Sequence, residues 1–295
     1  MEQQEIEKIK KAGSIIASVR EQAKSFIKPG IPLLEIAERI ESQIEKQGAK
    51  PAFPVSLAID EIAAHSTPSH DDTTKASGLL KVDLGCHIDG FIADTAFTID
   101  LDNSEENTSL ISTAESALKS SLETIKLNST LSQIGSSIEK AITSKDFVPI
   151  ANLSGHSIDQ YELHSGITIP NFDNSSNQEI PEGLYAVEPF VTNGSGKVKD
   201  GKPSGIYRLE KQGNVRDPKA REVLKFIQEE YQTLPFCSRW IHKKFSSRGL
   251  LALRQIEQAG LLHHYPQLVE ISKGKVAQAE HSVLLTEKEK TITTN

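Results

Sequence analysis

The chain has 295 residues, of which 37% are hydrophobic and 25% are charged, and this composition predicts a folded globular protein of one or two domains. The formal net charge of −7 argues against a global attraction to nucleic acid or to an anionic membrane surface. No apolar signal core and no membrane-length apolar run is found, so we expect a cytoplasmic protein without membrane contact. Its two cysteines, Cys86 and Cys237, are too few for a disulfide framework and are expected in the core.

The chain begins with two predicted helices. Apolar residues recur at helical spacing over residues 3–27, and Pro29-Gly30 ends this helix. A second helix follows from Leu33 and ends at Gly48, and its apolar face repeats every three to four residues. The next segment, PAFPVSLAI, is typical of extended chain.

The following segment, KVDLGCHIDGFIADTAFT at residues 81–98, predicts a β-hairpin that carries Asp83 and Asp94 within apolar runs. If Ile88 and Asp89 form a two-residue loop, the two aspartates lie directly opposite each other on one face of the hairpin, whereas a bulge would shift this register by one residue. Facing carboxylates repel, so they require a shared proton, a distant cation or a metal ion. The hairpin therefore raises the hypothesis of a metal site.

Two further helices repeat the order of the first two. Apolar positions from Leu110 to Ile125 predict a third helix, and Thr130 with Gln133 forms a capping box for a fourth. A shift of 98 positions aligns several helix residues of the first pair with those of the second, which suggests an internal duplication. Two such units predict an α+β body with helices outside an antiparallel sheet and a site between the halves.

Residues 215–275 differ from the rest of the chain and predict an inserted helical module that resembles a winged helix. Its three expected helices run from Val223 to Tyr231, through Phe236 and Trp240, and from Leu250 to Ile256. The module contains 11 lysines and arginines against 6 acidic residues. These basic residues are sparse, so a solvated surface is expected and nucleic-acid binding is not.

Four other segments place histidines or glutamates among apolar neighbours: IAAHSTP, LSGHSIDQYELHSG, LYAVEPF and VAQAEHSVLL. His156 and His164 share one face if the chain between them stays extended. Each residue alone is compatible with an ordinary core or edge position. Taken with the hairpin aspartates, one histidine with Glu188 and Glu280 offers mostly oxygen donors plus an imidazole, which suits a pair of divalent ions such as Mn, Fe, Co or Zn.

In these segments, and over essentially the whole chain, the sequence resembles methionine aminopeptidases of type II. The motifs in question are PAFPVSLAIDEIAAHSTP, VDLGCHIDGFIADTAFT, NLSGHSIDQYELHSG, YAVEPF and AEHSVLL, and the ligand segments among them occur in the family's order. The resemblance implies the pseudo-twofold "pita-bread" fold and, because the start of the chain is compact, the short archaeal form. It divides the chain into a catalytic domain, 1–205 with 270–295, and an inserted type II helical subdomain, 206–269.

The resemblance also implies roles for individual residues. The ligands of two divalent ions, which activate a water for attack on the peptide bond, would be Asp83, Asp94, His156, Glu188 and Glu280. Glu188 would in addition take the proton of the water and deliver it to the leaving amine. His164 would stabilise the oxygen of the tetrahedral intermediate, and His65 would contact the scissile amide nitrogen.

The methionine side chain of the substrate would lie against Phe53, Leu163 and Tyr265. Ser66 and Ser165 depart from the family's usual tyrosine and alanine, which bears on the shape of the pocket. The implied substrates are nascent proteins and peptides with N-terminal methionine, acted on by a monomer, and association with the ribosome is compatible with this role. Two rivals stay open: a proline-specific peptidase on the same body, and a noncatalytic adaptor, which would lack bound metal.

Overall fold

The computed structural model describes residues 1–295 and contains six helices and sixteen strands. The helices are α1 (Gln3–Phe26), α2 (Leu33–Lys46), α3 (Glu105–Thr124), α4 (Leu131–Thr143), α5 (Pro218–Glu230) and α6 (Ser238–Gln258). The strands are β1 (Lys50–Pro51), β2 (Ser56–Ile59), β3 (Ile62–Ala64), β4 (Leu79–Ile88), β5 (Phe91–Asp100), β6 (Val148–Pro149), β7 (Ser154–Ile158), β8 (Thr168–Pro170), β9 (Gly183–Val187), β10 (Phe190–Thr192), β11 (Val198–Leu209), β12 (Phe236–Cys237), β13 (Leu262–Glu270), β14 (Val276–Gln278), β15 (Glu280–Leu285) and β16 (Lys290–Ile292).

The four predicted helices of the body are confirmed. The capping box of α4 is present, with Thr130 accepting a hydrogen bond from the Gln133 backbone and Gln133 accepting one from the Thr130 backbone. Each helix buries its apolar face against the sheet, and α1 and α2 pack into a different hydrophobic cluster from α3 and α4. Across the whole chain, no helix combines the length and the apolar character that a membrane crossing requires.

The hairpin of β4 and β5 turns one residue later than the sequence suggested. Ile88 pairs with Phe91, so the loop is Asp89-Gly90, whose φ angles of 51° and 86° are those of a type I′ turn. The change in loop shifts the register by two residues, and Asp94 therefore lies opposite Gly85 instead of Asp83. Because two is even, both aspartates still lie on one face, as diagonal neighbours.

The central sheet has nine strands and joins the two halves of the body. Its order is β1-β4-β5-β15-β9-β7-β8, with β2 paired to β4 and β16 paired to β15. The internal duplication is visible in the elements: α2 begins at 33 and α4 at 131, while β1 begins at 50 and β6 at 148, both pairs at the predicted shift. Strands β5 and β15 meet in the middle of this sheet, between the halves.

The inserted module is a helix pair on a small sheet, not a purely helical unit. Its sheet has the order β12-β11-β13-β3, and β3 belongs to the body. Ser246, with φ 54° and ψ −158°, breaks α6 into two segments, so three helical segments are present as predicted. The prediction that Phe236 is helical is wrong, because Phe236 pairs with Tyr207 of β11 as strand β12. Both cysteines are buried, as expected.

Candidate metal centre

A cavity of about 240 Å³ opens between the two halves of the body and the inserted module, and twenty residues line it. All ten residues to which the resemblance assigns a role in the site are among them: Phe53, His65, Asp83, Asp94, His156, Leu163, His164, Glu188, Tyr265 and Glu280. No lysine or arginine lines the cavity. Its volume lies below the roughly 300–1,000 Å³ of pockets for drug-sized ligands, so it suits one side chain and an adjacent peptide bond.

Five strands of the central sheet bring the acidic residues and one histidine together. Asp83 and Asp94 come from the hairpin, and Glu280 is the first residue of β15, opposite Ala96. His156 lies in β7, and Glu188 directly follows β9. Because β9 separates β7 from β15 and β5 lies on the other side of β15, these residues converge at the middle of the sheet.

Distances between side-chain atoms define the cluster. Asp94, His156 and Glu280 each bring one potential ligand atom within 4.8 Å of the others. His156 Nε2 lies 3.8 Å from Asp94 Oδ2 and 3.5 Å from Glu188 Oε1. The arrangement therefore presents one imidazole nitrogen to several carboxylates, without a cationic side chain between them.

The carboxylates are in an electrostatically unfavourable environment. Desolvation raises the pKa of Asp83 to about 7, and desolvation followed by mutual repulsion raises the pKa values of Asp94, Glu188 and Glu280 well above the ordinary range. Asp83 Oδ1 and Asp94 Oδ1 are buried without any hydrogen-bond partner. Buried, unpaired acceptors of one sign together with an imidazole fit divalent cations.

His156 and His164 come together by a route that the sequence reading missed. The chain between them does not stay extended, because it reverses after β7, where Asp159 pairs with Glu162. The two rings nonetheless lie 4.2 Å apart between centroids. Desolvation lowers the pKa of buried His156 to about 3. The pKa of His164 is lowered to about 4 because protein surrounds much of its ring, although the residue as a whole is exposed at the cavity mouth. Both imidazoles are therefore neutral near pH 7.

His65 has a strained backbone and an unsatisfied side chain. Its φ of 57° lies in the left-handed region, which a residue with a side chain occupies only when the surrounding structure imposes it. Its Nδ1 is buried without a partner, and its ring meets Tyr265 edge to face at 5.2 Å between centroids. Burial lowers the pKa of His65. A neutral histidine held at this cost is typical of a functional position.

The apolar wall of the cavity contains Phe53 and Leu163, both buried, together with Tyr265. Gly85 makes room for Phe53, because a Cβ at this position would approach the phenyl ring to 2.3 Å. Ser66 and Ser165, the two departures from the family pattern, do not line the cavity. Ser165 instead donates to Ser157 Oγ at 2.9 Å.

Gln278 is a residue of the site that the sequence analysis did not single out. It is buried, and its Nε2 lies 3.3 Å from Glu188 Oε2 and 3.4 Å from Glu280 Oε2. A signal was available in the segment VAQAEHSVLL, since Gln278 stands two residues before Glu280 and residues at that spacing share a face in extended chain.

Comparison with known proteins agrees with this geometry. The model of metallopeptidase family M24 matches residues 7–287. The methionine aminopeptidase of Methanocaldococcus jannaschii is 44% identical over 297 residues, which cover all of both chains.

Two solved structures share the fold at low sequence identity. A thermophilic Arx1 superposes with a TM-score of 0.85 at 17% identity, covering 99% of this chain and 91% of that one. The methionine aminopeptidase of Thermotoga maritima superposes with a TM-score of 0.72 at 20% identity, covering 100% and 98%. At such identities the likeness concerns the fold alone, and the predicted pita-bread fold is confirmed. With the family match and the archaeal relative, the chain belongs to the methionine aminopeptidases of metallopeptidase family M24, metal-dependent hydrolases that remove N-terminal methionine.

Proposed function

We propose that the chain hydrolyses the peptide bond after an N-terminal methionine with two divalent ions held by Asp83, Asp94, His156, Glu188 and Glu280. The observation that carries this proposal is the convergence of four carboxylates, two from buried residues (Asp94, Glu280) and two from half-buried ones (Asp83, Glu188), with a neutral imidazole in a cavity whose lining contains no lysine or arginine. When bound, the ions would lower the pKa of a water toward neutrality and polarise the peptide carbonyl. Co, Mn, Fe and Zn all accept this donor set.

Glu188 is proposed to transfer protons. Its Oε1 lies near His156, while its Oε2 is held by Gln278, so the carboxylate has a fixed orientation toward the cavity. In this role Glu188 takes a proton from the attacking water and returns it to the amine of the leaving peptide.

The two other histidines are proposed to form hydrogen bonds with the scissile peptide bond. His164 stands at the cavity mouth beside His156, where a neutral imidazole N–H stabilises negative charge that develops on the carbonyl oxygen. His65 lines the same cavity beside Tyr265, where its neutral imidazole would accept a hydrogen bond from the N–H of the scissile amide. A donor to the carbonyl oxygen and an acceptor for the amide N–H together orient the peptide bond.

Methionine at the first position is proposed to insert its side chain against Phe53, Leu163 and Tyr265. The phenyl ring of Phe53 packs directly against Gly85, where no side chain could be accommodated. A pocket of this type distinguishes side chains that differ by a methylene by only about 1–3 kcal/mol. Selectivity for methionine over leucine is therefore expected to be moderate, and selectivity over charged residues strong.

The biological setting is proposed on the same basis. The substrates are nascent proteins and peptides that begin with methionine, the site of action is the cytoplasm, and the acting form is a monomer. The inserted domain at 206–269 is proposed to be the type II subdomain. Association with the ribosome fits a role in nascent-chain processing, whereas binding of nucleic acid is not proposed.

The test is peptide cleavage by purified protein, assayed with peptides that differ in the first residue and with a series of divalent ions. We expect release of methionine, loss of activity with a chelator, and recovery with a divalent ion. Cleavage only of peptides with proline in the second position would instead indicate a proline-specific peptidase. Protein that purifies without metal, binds none on titration and cleaves no peptide would indicate an adaptor and overturn the proposal.

A further inference from the structure

Strand β15 changes its neighbour within the metal centre. Glu280 and His281 pair with β5, whereas residues 283–285 pair with β16. Ser282 lies at this fork, at the position where the ladder with β5 would place it opposite Asp94. The backbone N–H and carbonyl of Asp94 therefore face β15 at a point where the backbone of β15 no longer pairs with β5.

The hydroxyl of Ser282 takes the place of the missing backbone pair. Its Oγ accepts a hydrogen bond from the Asp94 N–H at 2.9 Å and donates one to the Asp94 carbonyl at 2.8 Å. The Ser282 backbone is engaged elsewhere, since its N–H donates to Thr294 Oγ1 and its carbonyl accepts from the Thr293 N–H. Ser282 is 0% exposed and Asp94 3%, so without the hydroxyl two buried backbone groups would lack partners.

A second side chain links the same strands in the opposite direction. Thr95 Oγ1 donates to the Glu280 carbonyl at 2.8 Å. Arg20 of helix α1 supports this link, because its Nη1 donates to Thr95 Oγ1 at 3.1 Å and to the Thr294 carbonyl at 2.8 Å. Asp94 and Glu280 are thus held across the fork by side chains, at the point where the regular ladder ends.

We propose that Ser282 is a positioning residue that fixes Asp94 relative to Glu280 and thereby sets the metal affinity of the centre. This inference rests on the proposed role of Asp94 and Glu280 as ligands. Ser282 itself lies outside the cavity lining and contacts no substrate. Its effect passes through the backbone of Asp94, because a carboxylate cannot keep its place when the residue that carries it moves.

The test is calorimetric titration of metal-free protein with Mn²⁺, applied to wild type and to Ser282→Ala and Ser282→Thr. Ser282→Ala removes only the hydroxyl, and we expect its affinity for Mn²⁺ to fall about 10- to 100-fold, as for other residues that orient metal ligands. Ser282→Thr keeps the hydroxyl and is expected to restore affinity to within about threefold of wild type. The matched control is Ser121→Ala in α3, another fully buried serine whose hydroxyl donates to a backbone carbonyl. Its affinity should stay unchanged.

Thermal unfolding of each variant separates positioning from simple destabilisation. A Ser282→Ala protein that melts earlier but binds Mn²⁺ as tightly as wild type would overturn the inference. If Ser282→Ala does not fold, Ser282→Cys fills the same space with a weaker hydrogen-bonding group, and wild-type affinity in that variant would equally overturn it. Wild type that binds no Mn²⁺ would instead contradict the proposed function.

Discussion

Glu270 and Glu280 stand ten residues apart, and both are withdrawn from water, with exposures of 0% and 2%, yet their surroundings differ completely. Burial would raise the pKa of Glu270, but hydrogen bonds from Ser195, Gly274 and Ser272 outweigh it and lower the pKa to about 2. For Glu280, burial raises the pKa, and repulsion by Asp94 and Glu188 raises it further.

The supply of hydrogen-bond donors differs between the two carboxylates. Glu270 accepts from the backbone and hydroxyl of Ser195 at 2.6 Å each, and from Ser272 Oγ and Gly274 N at 2.8 Å. Gly194 also belongs to this arrangement, because a Cβ there would lie 2.5 Å from the carboxyl carbon. A buried carboxylate with its own donors locks two loops together, whereas carboxylates without donors need cations from outside the chain.

Replacing Glu280 with alanine tests most directly whether this carboxylate binds metal. We expect Glu280→Ala to lose at least one bound metal ion and to reduce methionine release by more than about 10³-fold, since the ions are proposed to supply both the activated water and the polarised carbonyl. Metal content by mass spectrometry and peptide cleavage measure the two effects. Full activity with normal metal content would remove Glu280 from the ligand set.

His65→Ala separates binding of metal from turnover. Metal content should stay at the wild-type value, while kcat falls by about 10²- to 10⁴-fold because a hydrogen-bonding partner of the scissile bond is lost. Ser66→Ala is the neighbouring control, expected to keep activity because Ser66 does not line the cavity. Loss of metal in His65→Ala would instead make this histidine a ligand.

The pH dependence of stability tests the electrostatics of the metal-free centre. The pKa of Asp83 is raised in the folded state, so the folded protein keeps a proton that the unfolded chain releases. Its stabilising contribution is complete below the unfolded pKa and is lost as pH rises through about 7. With chelator, the free energy of unfolding should fall between about pH 4 and pH 7, by about 1.4 kcal/mol per pH unit for each proton retained, and level off above that range. Urea titrations with chelator and with saturating Mn²⁺ measure this, and an equal decline in both would contradict it.

Glu270→Gln is expected to have the smallest effect, confined to stability. Its depressed pKa makes a contribution that is present at neutral pH and lost as pH falls toward 2. Removing the charge should cost about 2 kcal/mol at pH 7, because charge-assisted hydrogen bonds become neutral ones. Urea unfolding measures the loss, while metal affinity and kcat should match wild type. A drop in metal affinity would contradict the separation of the two sites.

Residues whose chemical type conflicts with their local sequence could be predicted to be functional. Asp94 within an apolar strand and Glu188 between valine and proline are unfavourable unless something binds them, and both line the cavity. The positions of the body helices could also be predicted, because apolar periodicity and the capping box at Thr130 are local signals. The internal duplication added the expectation of a site between the halves.

Residues whose role depends on distant strands could not be predicted. Ser282 is an ordinary strand residue in the sequence. Its contact with Asp94, which lies 188 positions away, follows from a change of strand partner along β15. The sequence reading misplaces the hairpin loop by one residue because it treats Gly90 as the last residue of the turn, although Asp89-Gly90 is itself a local signal for the type I′ turn that is observed. The route from His156 to His164 depended on a chain reversal that spacing alone does not specify.

The segment at 206–269 forms part of the wall of the cavity that is proposed to hold the peptide. Ile206, Pro235, Tyr265 and Leu268 all belong to this segment and line the cavity. Strand β13, which carries Tyr265, is also hydrogen-bonded to β3 just before His65. Removal of the segment would therefore leave all the proposed metal ligands in the chain but expose one side of the cavity to solvent. An enzyme without this segment must form that side of the cavity from other parts of its chain.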